Sequence, residues 1–183
     1  MLYSTMFISL DGVVSDPHLW HPRFMSEQSV AMLAEQLEAA EAMLLGRRAF
    51  EDFASYWPDQ DDAVPVARRT NELRKFVVTA RPRAAEWAKS SIAGADPLAA
   101  VTRLRPNHEH VMVAVGATLV RSLLAAGVLD EMRFYLDPIV VGPGRRLFGA
   151  ELGGVSFQLA GRRGLPNGVQ YLAYRPGSVP AHG

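Results

Sequence analysis

The chain has 183 residues, 49% of them apolar and 21% charged, which is enough for one well-cored domain and short for two. Its 19 basic and 19 acidic side chains cancel, so no overall field draws it to nucleic acid or to an anionic membrane, and any phosphate recognition must be local. The absence of cysteine excludes disulfides, thiolate metal sites and cysteine nucleophiles, and fits a reducing, cytoplasmic setting.

The first residues, Met1 to Ile8, lack a basic stretch and run straight into an apolar one, which predicts a strand over Tyr3 to Leu10 rather than a signal peptide. Asp11-Gly12 then favours a turn, and Val13 to Met25 is irregular, with Pro17 and Pro22. Ser26 is a good N-cap for a helix reaching about Glu41; from it onward the apolar residues Val30, Leu33, Leu37 and Leu44 fall near helical spacing, the last of them beyond the helix end. Ala42 to Leu45 predicts a strand, Arg47 to Phe53 a helix start, and Val64 to Leu73 a short helix with Pro65 in its first turn. Lys75 to Thr79 is strand-like, and Asp96-Pro97 makes an N-cap and first helical residue for a helix to about Leu104.

Further on, His110 to Val115 predicts a strand, Gly116-Ala117-Thr118 its turn, and Leu119 to Ala126 a helix closed by Gly127. The apolar run from Val111 to Val120 is too short to span a membrane. Met132 to Val141 reads as a long strand, at an edge or bulged where Asp137-Pro138 falls. Val155 to Gly161 and Val169 to Tyr174 predict an antiparallel hairpin, and 176–183 a disordered tail. Strands alternating with helices, followed by a run of strands, imply one α/β domain over 1–175 with a largely parallel sheet.

In such sheets ligands bind where strand ends lead into helices. Four junctions carry suggestive chemistry: Ser9-Leu10-Asp11-Gly12, Gly46-Arg47-Arg48, Thr79-Ala80-Arg81 and Gly116-Ala117-Thr118-Leu119. Two offer backbone N–H groups beside a glycine, and two supply arginines, the needs of an extended anionic cofactor. Neither G-x-G-x-x-G nor a P-loop is present, which argues against a standard Rossmann or Walker site. His18 and His21 stand three apart in a proline-punctuated loop without accompanying carboxylates, so no metal site is expected. Gly142-Pro143-Gly144-Arg145-Arg146 is either a phosphate-holding loop or a tight turn with exposed charge, and the latter is the simpler reading.

Those four blocks, together with Leu45 to Glu51, Lys75 to Thr79, Val115 to Val120, Gly127 to Glu131 and Pro138 to Phe148, resemble the dihydrofolate reductase-like superfamily. Within it they are similar to the C-terminal reductase domain of riboflavin-biosynthesis deaminase/reductases and its stand-alone relatives, over about residues 3 to 175. The resemblance implies a three-layer α/β/α sandwich with a mixed, mostly parallel sheet, and hydride transfer from NADPH. It implies nicotinamide near Met6, Phe7 and Val14; phosphates at Gly46, Arg47 and Arg48; adenosine at Thr79, Ala80 and Arg81; and pyrophosphate at Gly116, Ala117, Thr118 and Leu119. Asp11 is the candidate catalytic carboxylate for the proton, and Trp20 and Trp57 are candidates to stack on a flat substrate.

The substrate implied is a small heterocycle, similar to the 5-amino-6-(5-phosphoribosylamino)uracil of riboflavin biosynthesis. Such relatives pair as homodimers, and Phe157, Leu159, Tyr171 and Leu172 give the terminal hairpin apolar positions compatible with pairing. Two departures stand out. Val115 precedes a single Gly116 where many relatives carry two adjacent glycines, and no carboxylate of the first helix takes the place that dihydrofolate reductases give one: Glu27 lies near its start, and Val30 or a neighbour occupies the inward position. They argue against dihydrofolate as substrate and leave an alternative: a nucleotide-binding or regulatory protein that retains the fold without turnover. No zinc-binding His/Cys pattern of a deaminase half is present.

Overall fold

The computed structural model describes residues 1–81, 86–149 and 152–177. Eight strands form one sheet. The first is β1 (Leu2–Ser9), followed by the capped helix α1 (Glu27–Ala39), β2 (Ala42–Gly46) and α2 (Arg47–Ala54). Then come α3 (Pro65–Glu72), β3 (Arg74–Val78), β4 (Ser90–Ile92), α4 (Pro97–Leu104), β5 (Val111–Ala114) and α5 (Ala117–Ala125). The chain finishes with β6 (Glu131–Asp137), β7 (Phe157–Gly164) and β8 (Gln170–Pro176). The strand order is β4-β3-β2-β5-β1-β6-β8-β7. The first six strands of that order are parallel, and the terminal hairpin runs antiparallel to them.

Local chemistry sets most boundaries. Ser26 accepts the Ser29 N–H while Ser29 accepts the Ser26 N–H, a reciprocal cap that starts α1 where expected. Asp96 caps α4 by accepting the Leu98 N–H, with Pro97 in the first turn where its missing N–H costs nothing.

Alternation along β1 divides the core. Leu2, Met6 and Ile8 face α4 and α5 in one apolar cluster, whereas Tyr3 joins Leu37 of α1, Phe50 of α2 and Val66 of α3 in the other. Three layers result, with α1–α3 on one face and α4–α5 on the other, as the resemblance implies.

Four expectations change. Helix α5 begins at Ala117 rather than Leu119, because Gly116 at φ 105° turns the chain directly into it. Strand β6 ends at Asp137: Pro138 stops it, and the strand lies between β1 and β8 rather than at an edge. Strand β4 was not foreseen. The hairpin strands also lie later than predicted, at 157–164 and 170–176. The expected disordered tail falls largely on 178–183, outside the described residues.

Candidate functional site

The carboxyl ends of the six parallel strands share one edge of the sheet, and the predicted site blocks gather along it. At its middle, α2 and α5 start side by side from opposite faces. A Cβ on Gly46 would lie 3.9 Å from the Leu119 Cβ, and one on Gly116 would lie 3.8 Å from the Ala49 Cβ. The two helix starts are thus in reciprocal contact, each through the other's glycine. The first N–H groups of each helix have no partner within it, and their dipoles leave positive potential there. The arrangement suits one anionic group held between them.

The two neighbouring arginines differ. Both Glu51 carboxylate oxygens accept from Arg47 Nη1, at 2.8 and 2.6 Å, which spends much of the Arg47 charge within α2. Arg48 is exposed and has no ion pair among the described residues, so it is the freer cation.

At the end of β3, the Thr79 N–H donates to the Gly94 carbonyl, and Thr79 Oγ1 accepts the Arg81 N–H at 3.0 Å. Ala80 and Arg81 are exposed on this turn. Across the edge, Val115 adopts φ 30°, a left-handed conformation that glycine would take freely, and costs a β-branched residue roughly 1–2 kcal/mol. The turn is made despite the missing glycine; Ala117 and Leu119 are buried behind it, and Thr118 is exposed.

A cleft of about 290 Å³ opens at the ends of β1 and β6, walled by Ser15, Asp16, Leu19, Trp20 and Arg23 on one side and Ile139, Val140, Val141 and Pro143 on the other. Trp20 is buried and donates from Nε1 to the Ser15 carbonyl, so its ring is fixed at the wall. Trp57 does not line this cleft; it packs edge-on to Phe53 and Tyr56, so the two tryptophans expected to stack on a flat substrate do not share one opening. The three residues expected at the nicotinamide divide as well. Met6 and Val14 are buried together in the cluster under α4 and α5, while Phe7 faces the opposite side of the sheet.

Asp11 holds structure in place of the proton-relaying role expected of it. Its Oδ1 accepts from Ser9 Oγ at 2.6 Å and the Val141 N–H at 3.1 Å, and its Oδ2 from the Gly142 N–H at 2.9 Å and Arg146 Nη2 at 3.2 Å. The Ser9 hydroxyl first, then the Val141 N–H, hold the carboxyl down at about 2, where it has no proton to give near neutrality. Asp11 therefore straps the segment after β6 to the end of β1. This also settles Gly142 to Arg146 as a tight loop: Arg146 is drawn onto Asp11, and a Cβ on Gly144 would meet Val13 Cγ1 at 2.5 Å.

Sequence reasoning passed over Asp137 and set His21 aside. The structure buries both and joins them, His21 Nδ1 lying 2.7 Å from Asp137 Oδ2. The available signal was a carboxylate at the carboxyl end of a strand. Among the described residues, no group of three or more His, Asp or Glu side chains is arranged to hold a metal, and no helix is long and apolar enough to cross a membrane.

The mixed sheet with helices on both faces and this row of strand-end sites is the dihydrofolate reductase-like fold. The dihydrofolate reductase of Enterococcus faecalis superposes at a TM-score of 0.65, with 12% identity and 97% of each chain covered. The chain belongs to the RibD C-terminal domain family, whose pattern matches residues 1–171. A Shewanella sp. PV-4 protein described as one of riboflavin biosynthesis superposes at a TM-score of 0.79, with 17% identity, over 97% of this chain and 99% of that one. The uncharacterized Bacillus subtilis (strain 168) protein YyaP is 22% identical over 169 residues, 90% of this chain and 83% of its own.

Proposed function

We propose that this protein is an NADPH-dependent reductase of a small heterocyclic substrate. The observation that carries the reading is the linear order of chemistry along one sheet edge. Exposed Arg81 stands at the end of β3, the paired helix starts at β2 and β5, and the cleft at β1 and β6. Strands lie roughly 4.8 Å apart, so the paired helix starts and the cleft are roughly 10 Å apart, the reach of a nicotinamide-ribose from its pyrophosphate. The residues present fit the cofactor: the amides of 117–119 and of the α2 start, unpaired within their helices, would hold its pyrophosphate, and exposed Arg48 or Arg81 would meet its 2′-phosphate. Support also comes from the E. faecalis relative, whose structure was solved with NADP(H).

When bound, NADPH supplies the hydride. The chain's own contribution is to bind and orient, and to exclude water with the Trp20 wall and the loop strapped by Asp11. The family favours a pyrimidine of the riboflavin pathway, similar to 5-amino-6-(5-phosphoribosylamino)uracil. A cytoplasmic homodimer belongs to the same proposal, with the exposed β7 edge strand as the available pairing surface. Calorimetric titration with NADPH and NADH tests the reading: NADPH-selective binding is expected. Binding of neither by the folded protein would leave a scaffold without the cofactor and end the reductase account.

The second reading, a nucleotide-binding protein without turnover, draws on the strained Val115 turn and on Asp11 having no proton to give. NADPH binding without oxidation of the cofactor in the presence of any pyrimidine, pterin or flavin acceptor would favour it.

A further inference from the structure

Asp137 is the last residue of β6, in register with Ser9 of β1, and is fully buried. Its Oδ2 faces His21 Nδ1 at 2.7 Å, and its Oδ1 has no hydrogen-bond partner among the described residues. His21 is itself only 5% exposed, and its ring lies flat on Phe7, with centroids 3.6 Å apart and planes 20° apart. Trp20, the residue before it, and Arg23, two residues on, line the cleft. A carboxylate facing Nδ1 needs a proton on that nitrogen, so any exchange with a ligand falls to Nε2. The stack fixes the plane of the ring and the carboxylate fixes its rotation, which is the geometry of a positioned acid.

A purely structural reason for the pair is weak. Burying a carboxylate with a single donor is expensive, and two apolar side chains would join the turn to the strand at lower cost. The remaining charged groups of the cleft are Asp16 and Arg23. Tyr135 lies beyond Phe7, its hydroxyl accepting from Gln36 Nε2 at 3.1 Å, and burial pushes that phenol above its usual range. Asp11 is committed to its strap. The imidazole differs from these in being held both by a carboxylate and by a ring stack.

We propose that His21 is the proton donor of the cleft and that Asp137 is its positioning residue. The inference rests on the reductase reading above. His21 gives its Nε2 proton to the nitrogen of a C=N bond, or the oxygen of a C=O bond, as the carbon of that bond takes hydride from NADPH. An amine or alcohol and NADP⁺ result, and the imidazole regains its proton from solvent through the cleft.

The test uses the whole protein labelled with ¹⁵N-histidine, with and without saturating NADPH, at about pH 7. The expected result is a His21 ring carrying its proton on Nδ1, towards Asp137, and an Nε2 signal that moves when NADPH is added; Asp137→Asn should redistribute the proton between the two ring nitrogens. A His21 without a proton on Nδ1, or an Nε2 signal that does not respond to bound NADPH, would overturn the proposal, even if calorimetry showed the cofactor binding; absence of binding would instead sink the reductase reading. In NADPH oxidation with 5-amino-6-(5-phosphoribosylamino)uracil, His21→Gln should lower kcat about a hundredfold and leave KM for NADPH unchanged. An unchanged kcat would equally overturn it, and the nitrogen spectrum decides the matter if that acceptor is not turned over.

Discussion

Lys75 offers a quantitative test of how this fold handles a buried charge. It lies on β3 with no exposed surface and no carboxylate partner among the described residues; its Nζ donates to the Asn71 and Ala88 carbonyls and sits 4.0 Å from the Trp87 ring centroid. Burial first, and the nearby Lys89 charge second, lower its pKa from 10.5 to about 8. A lysine whose folded value is depressed holds fewer protons folded than unfolded between those values, so stability rises with pH through that window. Two and a half units over that range make the gain about 2 kcal/mol between about pH 7 and about pH 9.5.

Above pH 10 three tyrosines oppose the trend. Burial raises Tyr3 to about 12 and pushes Tyr135 and Tyr171 upward, so their stabilising effect is lost as pH rises beyond the unfolded value of 10. Urea unfolding of the wild type should therefore show a rise from pH 8 towards 10 and then a fall. Lys75→Met should remove the rise and keep the fall, whatever its offset at neutral pH from leaving two carbonyls without their donor. Parallel stability curves for the two proteins over pH 7 to 9.5 would refute the reasoning.

The other expectations concern the site. Arg48→Ala and Arg81→Ala should weaken NADPH about tenfold to a hundredfold for whichever residue meets the 2′-phosphate, and leave NADH unchanged, as read by calorimetry. Equal weakening of both nucleotides would assign the arginine to the shared pyrophosphate. Asp11→Asn should flatten the acid limb of stability: a carboxyl lowered from 3.8 to about 2 stabilises above its unfolded value and loses that contribution as pH falls through the window. Acid titration followed by circular dichroism checks it, and an identical acid limb in the variant would remove Asp11 as the strap. Gly144→Ala places a methyl 2.5 Å from Val13 Cγ1 at a φ of 147°, and should cost about 1–3 kcal/mol by thermal melting. A variant as stable as wild type would mean that this loop is loosely held.

Much of the fold was legible because it is written locally. Ser26 and Ser29 cap α1 across three residues, and Asp96-Pro97 starts α4 within two. Strand β4 was not legible because Ser90-Ser91-Ile92 has no apolar alternation and exists by pairing with Lys75 to Val77. Asp137-Pro138 was read as an irregularity within a strand, whereas parallel pairing on one side and antiparallel on the other make β6 interior and let the proline end it. The site divides in the same way. Glycines and arginines at strand ends could be read from the sequence, because their chemistry lies within a few residues of each junction. Apart from Ser9, the partners of Asp11 lie 130 and more residues away, and the carboxylate that meets His21 lies 116 residues away, so no spacing rule connects them. Trp57 was misplaced for the converse reason, since nothing local says which face of the sheet a loop tryptophan covers.

The central claim is that NADPH lies along the sheet edge, from the end of β3 past the two helix starts to the β1–β6 cleft. The most direct measurement is an amide-resolved NMR titration of the ¹⁵N-labelled protein with NADPH. The account predicts that the amides of 46–48, 79–81 and 116–119 and those walling the cleft move together as one saturable site. Saturable binding that leaves 46–48 and 116–119 unmoved would contradict it.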